Sequence, residues 1–167
     1  MSIYKNHIYS ILGKELNNEN IHYFVFKGSY KLESPYSGKG DLDIYVMPYH
    51  AEKFISISKS LGFIHLEVNR FFFENYTRDL FYYDTEVKLK FHVHLHTQIN
   101  FGNKISSNLN LNIENLLLSK RILDLEFNIY IIPPELELIL LGARKKYQKG
   151  KNWLKQRSIQ KVLEKII

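Results

Sequence analysis

The chain predicts an α/β domain of the α+β kind: a small mixed, largely antiparallel sheet flanked by helices, with a helical segment at its C-terminal end. Three observations point there. Apolar runs of strand length occupy 23–27 and 41–47, residues 86–96 alternate polar and apolar side chains without a break, and apolar residues recur at helical spacing near both ends. With 167 residues, 45% of them apolar, one domain spanning 1–167 can bury a core without staples.

Ile3, Ile8, Ile11, Leu12 and Leu16 recur at helical spacing, with Gly13 weakening that helix near its end and Asn17-Asn18-Glu19-Asn20 breaking it. Tyr23-Phe24-Val25-Phe26-Lys27 makes the first strand, and 30–40 forms a loop or a short helix plus loop. After the strand at 41–47, Pro48 suits the first turn of a helix running to about Ser60, with Phe54, Ile57 and Leu61 inward and Gly62 as its stop. Residues 63–70 and 71–76 read as strands around a turn. In the run 86–96, Glu86, Lys88, Lys90, His92, His94 and His96 share one face, and Val87, Leu89, Phe91, Val93 and Leu95 the other. Asp84-Thr85 supplies the turn before it, consistent with an antiparallel hairpin. Downstream, 113–123 reads as a helix, 127–132 as a strand, and 134–147 and 153–167 as helices, with the Asn-rich stretch 106–112 a loop.

Chemistry concentrates where the first two strands meet their turns. Gly28 lets backbone approach an anion closely, and Ser29 with the following N–H groups can hold a phosphate oxygen. Asp41 and Asp43 lie two apart on a strand, so they project from the same side, about 6 to 7 Å apart along the chain. Carboxylates so placed can share divalent cations in an arrangement suited to in-line phosphoryl displacement.

These residues resemble the DNA polymerase beta-like nucleotidyltransferase superfamily, marked by a strand ending in Gly-Gly or Gly-Ser and, about ten residues later, Asp-x-Asp or Asp-x-Glu in a second strand. Gly28-Ser29 and Asp41-x-Asp43 fit, with eleven residues between Ser29 and Asp41. Phe26-Lys27-Gly28 followed by Gly40-Asp41-Leu42-Asp43-Ile44 is similar to a poorly characterised bacterial nucleotidyltransferase-like family with a Lys-Gly motif. The similarity continues through Leu61-Gly62-Phe63, the His-rich strand and Ile132-Pro133-Pro134-Glu135, touching most of 21–155. The resemblance implies a nucleotidyltransferase-like fold and transfer of an NMP group from an NTP to a hydroxyl or phosphate acceptor. Asp41 and Asp43 would bind two Mg²⁺ or Mn²⁺ ions, and Lys27, Gly28, Ser29 and Arg144 would face the triphosphate. The acceptor stays open among a sugar phosphate, a protein side chain and RNA.

The superfamily also draws a third carboxylate from a neighbouring antiparallel strand, and the narrower family has apolar-Asp-Leu-His near this point. Matching that histidine to His94 puts His92 in the acid's place, and matching it to His96 puts His94 there. The third carboxylate is thus expected to be replaced by histidine, with His92 or His94 as base and His94 as metal ligand. Glu86, about 20 Å or more away along a straight strand, is a poor substitute. Imidazole suits Mn²⁺ or Zn²⁺ better than Mg²⁺, and neutral histidine can accept a proton near pH 7.

Charge and composition narrow the remaining classes. Residues 144–167 carry nine Lys or Arg against Glu164 alone, a net of +8 in a chain of net +6, which leaves the rest at −2. This basic helical segment, about 134–167, is a solvated face or an anion-facing surface, with nucleic acid as one partner it could serve. Arg144 is either a triphosphate contact or a helix C-terminal cation. Without cysteine there is no thiolate nucleophile and no disulfide framework. No charged segment followed by an apolar one, and no apolar stretch near 18 residues, leads to the expectation of a cytoplasmic protein without membrane contact. Two other classes fit the same residues: a catalytically degenerate nucleotide- or nucleic-acid-binding module, and a histidine-metal hydrolase built on His92-x-His94-x-His96.

Overall fold

Residues 7–28, 32–66, 77–101, 109–110 and 112–148 are described by the structure, a computed structural model. Along them run α1 (Ile8–Asn18), β1 (Tyr23–Lys27), α2 (Glu33–Tyr36), β2 (Asp41–Val46), α3 (Ala51–Ser60), β3 (Ile64–Leu66) and β4 (Thr77–Asp84). Then come β5 (Leu89–His96), β6 (Asn100–Phe101), β7 (Leu109–Asn110), α4 (Glu114–Lys120), β8 (Ile122–Asp124), β9 (Ile129–Ile131) and α5 (Pro134–Gln148). Seven strands form one sheet in the order β3-β4-β5-β2-β1-β9-β8, and β6 pairs with β7 apart from it. Neighbours are antiparallel except β2–β5 and β1–β9, so the sheet is mixed and largely antiparallel as the sequence predicts. Among the described residues no helix is long and apolar enough to cross a membrane.

Alternation along each strand sorts side chains between two faces. On one face Val25, Leu42, Ile44, Leu80, Phe91, Val93 and Leu95 are buried with Leu12 and Leu16 of α1 and Phe54 of α3. Burying an aliphatic or phenyl side chain of this size contributes about 1.5–3 kcal/mol, which makes this layer the main support of the fold. On the other face Phe24, Phe26 and Tyr45 pack with Leu117 of α4 and Leu136 and Leu140 of α5. Beside this second, smaller cluster lie the polar residues of β2, β4 and β5.

Two hairpins share one turn design. Asp84 Oδ1 accepts from the N–H groups of Glu86 and Val87, and Lys88 leaves the turn at φ 56°. Asp124 Oδ1 likewise accepts from Glu126 and Phe127, and Asn128 leaves at φ 55°. The first turn corrects the strand expected over 86–96: residues 85–88 form the bend, and the strand starts at Leu89. The second corrects the helix expected over 113–123. It stops at Lys120, Arg121 becomes extended, and Ile122–Asp124 pairs with β9, because strand pairing outweighs the helical tendency of the Leu-rich run. The strand after it runs over Ile129–Ile131 rather than 127–132. Pro48–His50 is a single 3₁₀ turn before α3, whose buried residues are Ala51, Phe54, Ile55 and Ser58, with Ile57 and Leu61 packed at the margin. Of the strands expected over 63–76 residues 63–66 are described, with Ile64–Leu66 in a strand, and the helix expected over 153–167 lies outside the described residues.

His7 caps α1: its Nδ1 accepts from the Tyr9 N–H at 3.2 Å, and its ring packs 4.4 Å from that of Tyr36 and 4.8 Å from that of Phe91. Burial lowers its pKa below the ordinary histidine value, and burial also pushes His96 down to about 4. A histidine depressed in the folded state stabilises fully above its unfolded pKa and loses that contribution as pH falls toward the folded one. Thermal stability is therefore expected to fall between about pH 7 and pH 5. His7→Asn, which keeps an acceptor at the cap, should flatten the His7 share of that slope in thermal melts read by circular dichroism.

Candidate functional site

Parallel pairing of β2 with β5 sets two rows of side chains rung by rung: Asp41 beside His92, Asp43 beside His94, and Tyr45 beside His96. Antiparallel pairing of β4 with β5 then places Asp79 beside His94 on the far side. Same-face alternation brings three carboxylates and three imidazoles together on the second sheet face. His92 stands between two acids, with Nδ1 2.7 Å from Asp41 Oδ1 and Nε2 2.9 Å from Asp79 Oδ1. His94, one rung further along, lies between Asp43 and Asp79, Nδ1 3.5 Å from Asp43 Oδ1 and Nε2 3.6 Å from Asp79 Oδ1. His96 Nε2 lies 3.0 Å from Asp43 Oδ1, and its ring meets Phe26 edge-on at 4.9 Å.

Lys27 joins this face through an irregularity in β1. Val25 pairs with Ile44 but Lys27 pairs with Asp43, so two β1 residues oppose a single step of β2. Such a bulge turns Lys27, which simple alternation would send to the opposite face, toward Asp43. Its Nζ sits 2.6 Å from Asp43 Oδ1. Gly28 follows at φ 72°, a left-handed conformation that costs a side-chain-bearing residue but not glycine. Its N–H donates to Glu137 Oε1 at 2.6 Å, and Glu137, in the first turn of α5, is buried.

The electrostatics centre on Asp43. Burial alone would raise its pKa, but hydrogen bonds from His94 and His96 and the charge of Lys27 outweigh it and hold the carboxyl well below the usual range. Asp43 is therefore ionised near neutral pH. One ligand atom each from Asp43, His94 and His96 lie within 4.8 Å of one another, close enough to take a single cation. This donor set of one carboxylate and two imidazoles fits Mn²⁺ or Zn²⁺ better than Mg²⁺, which prefers hard oxygen.

Of the residues expected to act together, Asp41, Asp43, His92, His94, Lys27 and Gly28 meet on one face. The metal set is shifted relative to expectation: His96 stands with Asp43 and His94, while the Asp41 carboxylate is engaged by His92. Ser29 lies outside the described residues, and Arg144 belongs to α5 with its side chain outside the description. A further acid, Asp79 of β4, stands on the far side of β5 from β2 and meets the site at His92 and His94. Asp79 and Glu137 carry no local motif: only the β4–β5 register and the packing of α5 bring them here.

Comparison of the chain with protein-family models, curated proteins and solved structures finds no match.

Proposed function

We propose that the chain is a metal-dependent nucleotidyltransferase, moving an NMP group from an NTP of the cytoplasmic pool to a hydroxyl or phosphate acceptor. The observation that carries this reading is the Asp-x-Asp strand lying beside the Lys27-Gly28 bend, with Lys27 on Asp43 and the histidine row one strand away. Asp43, His94 and His96 would hold a divalent cation, with Asp41 exposed beside them. When bound, the metal supplies positive charge to phosphate oxygens. Lys27 brings a second positive charge to the same place, where it can offset the charge of departing pyrophosphate. His92 lies outside the Asp43 group with both ring nitrogens on carboxylates, so it would accept the acceptor's proton only after one nitrogen gives up its hydrogen and turns from Asp41 to the acceptor, Asp79 then balancing the charge it gains. The acceptor oxygen then attacks the α-phosphorus, the bond to the bridging α–β oxygen breaks, and pyrophosphate leaves. A sugar phosphate, a protein hydroxyl or an RNA end would each serve as acceptor.

The second reading is the degenerate binding module, and one observation weighs on phosphate binding in both. The Gly28 N–H, which a phosphate oxygen would need, is taken by Glu137. Incubation of α-³²P-labelled NTPs with Mn²⁺ and a panel of acceptors, alongside calorimetric titration of nucleotide, separates the two. Label transfer with pyrophosphate release is the expected result. Nucleotide binding without transfer to any acceptor makes the chain a binding module, and no nucleotide binding with either Mg²⁺ or Mn²⁺ removes both readings.

A further inference from the structure

We infer that Asp43, His94 and His96 form a site for one zinc-class ion, oriented by Asp79 and selective against Mg²⁺. As the cation site of the transfer reaction it rests on that reading; as a metal site it stands alone.

The three ligands are fixed by the sheet rather than by loops. Asp43 and His94 are register partners on adjacent strands, and His96 is the next same-face residue of β5. All three are more than two-thirds shielded, with side-chain exposures of 15%, 27% and 12%, so the donors are held in place before an ion arrives. Zinc is commonly held by three protein ligands of this kind, with Zn–N and Zn–O bonds of about 2.0–2.2 Å. Ligand atoms within 4.8 Å of one another need only small side-chain adjustments to close to that range.

Asp79 lies near the His94 nitrogen farther from Asp43 but beyond hydrogen-bond distance, its bond at 2.9 Å going to His92, so it would orient His94 only by turning toward it as the ion binds. The His94 nitrogen nearer Asp43 is Nδ1, and Asp79 stands behind the other nitrogen, Nε2, at 3.6 Å. A carboxylate behind a ligand imidazole fixes its tautomer and raises its basicity. Mg²⁺ gains little from two imidazoles and keeps its waters, whereas Zn²⁺ and Co²⁺ bind them strongly. Among the described residues Lys27 is the cationic neighbour that opposes a metal ion, and its flexible stem lets it withdraw from Asp43.

Titration of chelator-treated full-length protein with Co²⁺ should give visible d–d absorption that saturates at one equivalent, is abolished by Zn²⁺, and is unaffected by a large excess of Mg²⁺. His94→Gln combined with His96→Gln should lower Co²⁺ affinity at least about 100-fold, and Asp79→Asn about 10- to 100-fold. Lys27→Met should raise it. Long-range ¹H–¹⁵N spectra of the wild-type histidine rings need no variant: Zn²⁺ should shift His94 and His96 in preference to His22 and His50. Co²⁺ affinity unchanged in the folded double variant, or ring signals of His94 and His96 indifferent to Zn²⁺, overturns the proposal. Zinc binding without nucleotidyl transfer keeps this site and sinks the proposed reaction. Transfer supported by Mg²⁺ in a protein whose His94 and His96 rings ignore Zn²⁺ does the reverse.

Discussion

Asp43→Asn is expected to lower nucleotidyl transfer by at least about 1000-fold, a loss of about 4 kcal/mol of transition-state stabilisation. The side chain keeps its shape, so the effect isolates charge. Asp43 is touched by Lys27, at 2.6 Å, His96, at 3.0 Å, and His94, at 3.5 Å. The amide removes an anionic ligand from the Asp43–His94–His96 group and leaves three cationic or donor groups facing a neutral acceptor. Because the Asp43 carboxyl is held below its ordinary pKa, its ionised form stabilises the fold above the unfolded carboxylate value, and that contribution fades only as pH falls toward the lower folded one. The variant should therefore also lose stability near neutrality, on the order of 1–3 kcal/mol. Initial rates with labelled NTP, read beside thermal melts, test both effects. Undiminished transfer by a folded Asp43→Asn protein would remove Asp43 from the reaction and the proposed function with it.

Gly13→Ala is expected to be the most damaging small substitution in the described fold. Gly13 lies inside α1, where glycine costs a helix about 1 kcal/mol relative to alanine, so propensity alone predicts that alanine stabilises. The tertiary contact reverses the sign. A Cβ at Gly13 would run into the backbone carbonyl oxygen of Asn128. That carbonyl cannot swing aside, because Asn128 is held at φ 55° in the β8–β9 turn and its side-chain amide donates to the Ser10 carbonyl at 3.4 Å. Either α1 lifts from the sheet or the turn is displaced. Overpacking against fixed backbone should cost about 3 kcal/mol, which lowers the melting temperature by about 6–12 °C in a chain of this size. A melt equal to or above wild type would show that the α1–turn contact is looser than described.

Both substitutions fall where local sequence gave only part of the answer. Asp41 and Asp43 were readable because strand alternation is a local rule, and Gly28 because a turn after an apolar run leaves few alternatives to glycine. Lys27 was placed at the end of its strand, but its direction depends on the bulge opposite Asp43, which no local pattern marks. Asp79 stayed hidden for a related reason. In β4 the run Thr77-Arg78-Asp79-Leu80 mixes charges with a single fully buried residue, Leu80, so it lacks the clean alternation of β5. Its strand identity comes from eight cross-strand partners on β5. The reading of 113–123 as one helix failed at Ile122 and Leu123, apolar residues whose destination is decided by β9 rather than by their neighbours in sequence. Gly13 reads locally as a weak helix residue because the Asn128 carbonyl that requires it is 115 positions away.

The parallel run of β2 beside β5 also gives the site two unlike ends. Asp41 at the near end has 56% of its side chain in water, whereas His96 at the far end keeps 12% and leans on Phe26. If the proposed ion binds, Asp41 offers it a hydrated approach, while the shielded end beside Phe26 is where its water would have to be given up.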